Sequence, residues 1–208
     1  METMPDPKPE SPDLSDYLGH SAILDYDHPM VEETAEQLTY GIKDTLSKVR
    51  SLFEFVRDQI FYSFHINATS VTLTASEVLE KGHGSSFSKA HLFAALARSQ
   101  DIPAGFCYRL TLSETGVPRP VLHGYNAVFI QEMERWIFLD ACVSPEITGD
   151  SHGFYSETLI TDPVKTSSRW FHKPGAGLIY VSPNKKVIST LEHARDVEEL
   201  KEVLPGKL

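Results

Sequence analysis

The sequence predicts an α+β fold in which a helix packs across an antiparallel β-sheet. Two observations predict this class. Apolar residues recur at helical spacing up to residue 100, whereas from residue 105 to residue 139 they form short runs separated by turn residues. A chain that forms its helices first and its strands afterwards is typical of α+β proteins, because consecutive antiparallel strands need only short connections.

Length and composition indicate one globular domain. The chain has 208 residues, of which 41% are hydrophobic and 23% are charged. Its 19 basic and 29 acidic residues give a net charge of −10, which opposes nonspecific binding to nucleic acid and to anionic membranes. No apolar run reaches the roughly 18 residues of a membrane span. We therefore expect no nucleic-acid or membrane partner, and the oligomeric state stays open.

The N-terminus and the cysteines indicate the cellular compartment. Residues 1–13 hold four prolines and no apolar core of a signal peptide, so they are predicted to be a flexible Pro-rich leader or a clamped arm. The single domain is predicted to span residues 14–208. Cys107 and Cys142 are too few for a disulfide framework or a cysteine-based zinc site. We expect free thiols and a cytoplasmic protein.

Five helices are predicted from apolar spacing and capping residues. Ser47 is predicted to cap the second helix, Gly82 to end the third, and Ser86 to begin the fourth, which should be the most buried. The predicted ranges are 30–38, 47–60, 75–80, 86–100 and 190–203.

Three main strands are predicted at 105–112, 122–130 and 135–139, with a turn at 131–134 and a further short strand at 179–181. Residues 144–175 are rich in Gly and Pro, which predicts a lid or a surface meander.

Three residues on these elements form a candidate catalytic set. Ser86 stands at the start of the buried helix, His123 near the start of the second strand, and Asp140 at the end of the third. Adjacent antiparallel strands can place a His and an Asp side by side, and the helix can present position 86 to the His. A nucleophile, a base and a group that orients the base are what acyl transfer needs.

Chain order narrows the class of enzyme. The order Ser, His, Asp differs from that of α/β-hydrolases, chymotrypsin-like enzymes and subtilisin-like enzymes. The nucleophile elbow G-x-S-x-G is also absent, because Ser88 stands where the second Gly belongs. The order suits papain-like and transglutaminase-like cysteine enzymes, with Ser86 at the position of the cysteine.

Several blocks of the chain, from about residue 17 to about residue 145, carry a dense and ordered pattern. In these blocks the chain resembles the bacterial transglutaminase-like family, which belongs to the transglutaminase core superfamily. The matching blocks are Asp25-Tyr26-Asp27-His28-Pro29, Phe55-Val56-Arg57-Asp58-Gln59-Ile60, Ala75-Ser76-Glu77-Val78-Leu79, residues 82–92, residues 102–108, Leu122-His123-Gly124-Tyr125-Asn126-Ala127-Val128 and Trp136-Ile137-Phe138-Leu139-Asp140-Ala141.

The resemblance implies a transglutaminase/papain-like cysteine-protease fold and a Cys-His-Asp triad. It places Ser86 at the nucleophilic cysteine, His123 at the catalytic His and Asp140 at the orienting Asp. It implies acyl transfer from an amide or a thioester, with an amine, water or a carbon nucleophile as acceptor. The substrate can be a peptide, an amide or a carrier-linked thioester, and no cofactor is implied.

Serine at the nucleophile position has a chemical consequence. A cysteine at a helix N-terminus beside a His is largely a thiolate, whereas a serine hydroxyl gains no comparable ionisation. Turnover is therefore expected to be lower by several orders of magnitude. Three explanations stay open: an engineered Cys-to-Ser change at Ser86, a natural pseudoenzyme, and a true serine-dependent acyltransferase.

Three neighbours of the triad are predicted to bind substrate. Tyr125 shares a strand face with His123, Cys142 shares one with Asp140, and His83 precedes the nucleophile loop. The alternatives are a solvated His83 and a bystander Cys142, and Cys107 is expected to be a small buried hydrophobe. The resemblance implies a charged residue near position 142, which this chain lacks. No His pair at metal-ligand spacing and no phosphate-binding loop is present in the sequence, so no metal or nucleotide is expected.

Overall fold

A computed structural model describes residues 8–113, 117–142, 170–171 and 177–208. Within these ranges the helices are α1 (Pro29–Thr39), α2 (Thr45–Gln59), α3 (Ala75–Lys81), α4 (Ser86–Arg98), α5 (Lys185–His193) and α6 (Val197–Val203). The strands are β1 (Lys8–Pro9), β2 (Phe61–Tyr62), β3 (His83–Gly84), β4 (Ala104–Leu112), β5 (Pro120–Ile130), β6 (Arg135–Leu139), β7 (Trp170–Phe171) and β8 (Leu178–Ile179).

The main sheet has the order β6-β5-β4-β7, and each neighbouring pair is antiparallel. β4 and β5 form its longest ladder, from Ala104 opposite Val128 to Leu112 opposite Pro120. Helix α4 packs on this ladder, and the Asn126 side chain donates to the Ala90 carbonyl at 3.1 Å. The predicted α+β class, with a helix across an antiparallel sheet, is confirmed.

Helix α4 is the centre of the fold. All 13 of its residues are buried, because it contacts the sheet on one side and α1, α2 and α3 on the other. The prediction that this helix is the most buried is confirmed for the part of the chain that the structure describes. No helix in this part is both long and apolar enough to span a bilayer.

The segment that leads into α4 is held at both ends. Helix α3 ends at Gly82, as predicted, and this glycine adopts the left-handed conformation (φ 66°) that its lack of a Cβ permits. Helix α4 begins after Ser85, whose hydroxyl accepts from the Ser88 amide while the Ser88 hydroxyl accepts from the Ser85 amide. Between these caps, β3 pairs with β2. The start of α4 is therefore fixed relative to α2 and α3.

Two predicted helix boundaries are wrong, and a capping aspartate explains each. Helix α2 begins at Thr45 because Asp44 accepts from the Ser47 amide at 2.8 Å, so Ser47 is not the cap. The predicted C-terminal helix at 190–203 is two helices, α5 and α6. The chain becomes extended at Ala194, and Asp196 caps α6 by accepting from the Glu199 amide at 2.8 Å. Apolar spacing alone did not reveal these caps.

The leader is anchored over the part that the structure describes. β1 pairs with β8 in parallel, and the Ser11 amide donates to the Tyr17 hydroxyl at 3.1 Å. That hydroxyl donates to the Ile179 carbonyl at 3.0 Å. These contacts hold residues 8–13 against the domain, whereas residues 1–7 lie outside the described ranges, so the choice between a flexible leader and a clamped arm stays a prediction for residues 1–13 as a whole.

The remaining predicted segments are met in part. Residues 131–134 form the predicted turn, a short 3-10 turn in which Glu134 is left-handed. The strand predicted at 179–181 is β8, one residue earlier, and Tyr180 continues it by pairing with Phe106. Of the segment predicted to be irregular, 144–175, only β7 is described.

A histidine inside α4 makes the stability of the fold depend on pH. His91 is 1% exposed, and its Nδ1 donates to the Leu73 carbonyl at 2.8 Å. Burial lowers the pKa of His91 from 6.5 to about 4. The unfolded chain therefore binds the proton at a higher pH than the folded chain, and stability is lost as the pH falls from about 6.5 towards about 4.

We expect the free energy of unfolding to fall by about 3 kcal/mol across this window, on the order of 1.4 kcal/mol for each pH unit. Urea denaturation at several pH values measures this fall. His91→Asn is the matched variant, because its amide can still donate to Leu73 but does not titrate in this range. An equal acid loss in the variant and in the parent would show that other groups cause the effect.

Candidate active site

The site lies where β6 stops and β5 continues. β6 ends at Leu139, opposite Asn126, so the next outward-facing amide of β5, that of Gly124, has no strand partner on this side. The Gly124 amide donates instead to the Ser86 Oγ at 3.3 Å. The N-terminus of α4 thus occupies the place of the missing strand pair. Because β6 ends at Leu139, the Ser86 hydroxyl can lie beside Gly124, the residue that follows His123.

His123 and Asp140 form the second contact of the site. His123 lies on β5, and Asp140 directly follows β6. The His123 Nε2 lies 2.9 Å from the Asp140 Oδ2. Asp140 therefore fixes the tautomer in which Nε2 carries a proton, and Nδ1 is the nitrogen that can accept a proton from a nucleophile. The structure brings together the three residues that the sequence predicted, two by this contact and Ser86 through the Gly124 amide.

The first turn of α4 offers donors for a developing negative charge. The first amides of any helix have no acceptor within it. The Ser85 hydroxyl takes the Ser88 amide at 3.2 Å, so the amides of Ser86 and Phe87 remain at the positive end of the helix dipole. The amides of Ser86 and Phe87 are therefore the candidate oxyanion donors of the site.

Arg109 is part of the site, and the sequence analysis missed it. It lies on β4 directly opposite His123, and its Nη2 donates to the Asp140 Oδ2. The side chains of Arg109 and Asp140 are each 8% exposed. A signal was present in the sequence, because Arg109 is the one charged residue of an otherwise uncharged strand, β4.

The charge of Asp140 is stabilised from several directions. Burial alone raises the pKa of a carboxyl group, but the charges of His123 and Arg109 outweigh burial at Asp140. Hydrogen bonds from His123 and from the Cys142 amide add to the effect, and the pKa of Asp140 lies well below its usual range. These contacts favour the carboxylate form of Asp140 around neutral pH.

Lys89 is a second buried cation near the site. Its Nζ donates to the carbonyls of Ile60 (2.6 Å) and Arg57 (3.5 Å), at the C-terminal end of α2. Burial lowers the pKa of the Lys89 ammonium, while the charges of Cys142 and Asp140 favour its charged form. Lys89 ties the nucleophile helix to α2 and places a positive charge one turn from Ser86.

The predicted substrate-binding residues occupy three different settings. His83 is turned towards two hydroxyls, with Nδ1 2.9 Å from the Ser63 Oγ and Nε2 3.5 Å from the Ser70 Oγ. Burial lowers the pKa of His83, which favours a neutral ring. Tyr125 lies beside the triad but is 6% exposed, under the Arg109 guanidinium.

Cys142 lies next to Asp140 and is partly exposed, and its amide donates to the Asp140 Oδ1 at 3.0 Å. Cys107 is buried, as expected, and burial raises the pKa of its thiol. A substrate-binding role for His83, Tyr125 or Cys142 stays a prediction. Among the described residues, no group of three His, Cys, Asp or Glu side chains is placed to hold a metal ion.

The arrangement of a buried helix N-terminus against a His and an Asp of neighbouring antiparallel strands defines the transglutaminase and cysteine-protease class of fold. A family model, described as the transglutaminase-like superfamily, matches residues 32–141, which is more than half of the chain. The chain belongs to the transglutaminase-like superfamily.

Solved structures to which the chain is similar include a candidate cysteine protease from Cytophaga hutchinsonii, with 22% identity and a TM-score of 0.50 over 63% of this chain and 42% of that one. A protein described as a TGase has 16% identity and a TM-score of 0.42, over 90% of this chain and 52% of that one. This chain thus spans about half or less of these proteins. No curated protein matches it.

Proposed function

We propose that this site carries out acyl transfer through an acyl-enzyme at position 86, with an amide or thioester as acyl donor and an amine or water as acceptor. The contact between the His123 Nε2 and the Asp140 Oδ2, at 2.9 Å, carries the proposal. This contact leaves the Nδ1 of His123 able to accept a proton from a nucleophile. The Gly124 amide, which follows His123, donates to the Oγ of Ser86, the proposed nucleophile position.

The steps follow from these positions. Nδ1 of His123 takes the proton of the nucleophile at position 86, which attacks the acyl carbonyl and forms a tetrahedral intermediate. The amides of Ser86 and Phe87 stabilise its oxyanion. The protonated His123 then donates the proton to the leaving amine or thiol, and the acyl group stays on position 86. His123 next takes a proton from the incoming amine or water, which attacks the acyl carbonyl. The bond to position 86 then breaks, His123 returns the proton to the side chain at position 86, and the acyl product leaves.

Serine at position 86 limits the reaction in the chain as it stands. The Ser86 hydroxyl must lose its proton during the attack, whereas a thiol in the same place would already be ionised. The chain is therefore an inactive or nearly inactive form that can still bind its acyl donor. This holds whether Ser86 is engineered or natural.

A second candidate function is favoured by Ser86 itself. A natural pseudoenzyme would use the site to bind a peptide or a carrier-linked acyl group without turnover. A hydrolytic peptidase or amidase differs from a transferase only in taking water as acceptor. We propose the cytoplasm as the place where this protein acts, because two cysteines in 208 residues are too few for a disulfide framework.

The test uses a Ser86→Cys variant and a panel of acyl donors: glutamine peptides, simple amides and aryl thioesters, each with and without hydroxylamine. Mass spectrometry of the protein locates any acyl adduct. The proposal expects an adduct on position 86 that hydroxylamine removes as the acyl hydroxamate. Ser86→Ala is the matched control and should form none.

An adduct confined to Cys107 or Cys142, or no adduct with any donor, would contradict the acyl-transfer proposal. Binding of a donor to the parent chain without an adduct in the Ser86→Cys variant would support the pseudoenzyme. Comparison of amine and water as acceptors separates a transferase from a hydrolase.

A further inference from the structure

The side chain of Arg109 crosses a whole strand to reach the triad. Arg109 lies on β4, opposite His123 of β5, whereas Asp140 follows β6 on the far side of β5. The guanidinium passes over the Tyr125 ring, 5.1 Å from its centroid, and donates to the Asp140 Oδ2. It therefore lies on the same face of β5 as the His123 imidazole.

Asp140 is held by donors from three parts of the chain. The His123 Nε2 (2.9 Å) and the Arg109 Nη2 both contact its Oδ2, and the Cys142 amide contacts its Oδ1 at 3.0 Å. A carboxylate bound at both oxygens cannot rotate without losing a charge-assisted hydrogen bond. The direction in which it meets His123 is thereby fixed.

We propose that Arg109 is a positioning residue of the acyl-transfer site, which keeps the Asp140 carboxylate charged and oriented towards His123. The inference rests on the proposed function, because the orientation of His123 matters only if it serves position 86.

The charges around Asp140 explain why an arginine is needed. Asp140 is buried, and burial favours its neutral form. The groups that oppose burial are His123 from β5, Arg109 from β4 and, at longer range, Lys89 from α4. An arginine suits this place because a guanidinium is a permanent cation, whereas an imidazole is a cation only when it is protonated. A protonated Asp140 could donate to His123 and so impose the wrong tautomer.

The first experiment follows the Asp140 carboxyl by carbon NMR as the pH is lowered, in the parent, in Arg109→Gln and in Arg109→Lys. Loss of a cation within hydrogen-bond distance raises a carboxyl pKa by about 1–3 units. We expect Asp140 to titrate at least about one pH unit higher in Arg109→Gln than in the parent, and Arg109→Lys to restore most of the difference. Arg195→Gln, which removes an exposed arginine paired with Glu199, is the matched control.

A titration of Asp140 that is the same in Arg109→Gln and in the parent would overturn the inference. If Arg109→Gln does not fold, Arg109→Met, which is neutral but keeps the stem of the side chain over the Tyr125 ring, takes its place with the same two outcomes. This readout needs no activity, so it separates the role of Arg109 from the proposed function.

The second experiment repeats the pair in the Ser86→Cys background. Arg109→Gln should lower kcat by about 10- to 100-fold with little change in KM, and the acid limb of the pH–rate profile should move to higher pH. Arg109→Lys should recover the limb. A loss of rate that is equal at every pH would make Arg109 merely structural. Inactivity of the Ser86→Cys variant itself would count against the proposed function and leave the NMR result to decide on Arg109.

Discussion

Replacing Ser86 with cysteine is expected to raise the rate of acyl-enzyme formation by about three orders of magnitude or more. The expected gain depends on the surroundings of position 86 as well as on the chemistry of a thiol. The side chain at position 86 is 6% exposed, begins α4 and meets the Gly124 amide at 3.3 Å. A thiol in this setting is ionised by the helix dipole and by His123, and the amide further stabilises the thiolate.

The measurement is the rate of acylation by the best donor of the panel, followed by mass spectrometry, in the parent and in Ser86→Cys. Two double variants serve as controls. His123→Gln and Asp140→Asn, each combined with Ser86→Cys, should lose most of the gain, because the members of a triad act as a unit. A gain that survives His123→Gln would show a reactive thiol outside a triad, and equal rates in Ser86→Cys and the parent would contradict the expectation outright.

Replacing Arg98 with methionine is expected to lower the free energy of unfolding by about 3 kcal/mol or more. Arg98 is 4% exposed at the end of α4, and its guanidinium donates to carbonyls from three segments. The acceptors are Gly19 (2.6 Å), Ala104 (2.7 Å) and Val181 (2.6 Å). It thus ties the segment after β8 and the segment before α1 to the start of β4.

Methionine keeps the length and the apolar packing of Arg98 but leaves these carbonyls without their donor, at about 1–3 kcal/mol for each one that stays buried. Relief of desolvation offsets part of the cost, because burial lowers the pKa of Arg98 to about 10. Urea denaturation measures the difference. Arg98→Lys should lie between the two proteins, and Arg195→Met, at an exposed arginine, should change stability by less than about 0.5 kcal/mol. A loss below about 1 kcal/mol in Arg98→Met would contradict this view of Arg98.

The parts of the fold that could be predicted from the sequence are those whose signals are local. The apolar spacing of α4, the glycine that ends α3 and the short runs of β4, β5 and β6 each report their own conformation. The order of these elements was then enough to propose the candidate triad, because Ser86, His123 and Asp140 each stand near the beginning or the end of a predicted element.

The parts that could not be predicted depend on pairing between distant segments. The role of Arg109 follows from its register with His123 and from the place where β6 ends, and neither is visible in a single strand. The pairing of the leader with β8 could not be predicted either, because the paired residues, such as Lys8 and Leu178, are far apart in the sequence. The break between α5 and α6 was missed for another reason. The helical spacing of apolar residues continues across the break, although Asp196 caps a new helix there.

The central claim is that position 86 and His123 form a working nucleophile and base. The most direct measurement treats Ser86→Cys, in a Cys142→Ser background, with iodoacetamide from about pH 5 to about pH 9, and reads the alkylated residue by mass spectrometry. An ordinary thiol with a pKa of about 8.5 loses its reactivity about tenfold per pH unit below that value. We expect the introduced thiol instead to keep a nearly constant rate down to about pH 6, and to lose this behaviour when His123→Gln is added. An ordinary thiol profile, unchanged by His123→Gln, would contradict the claim.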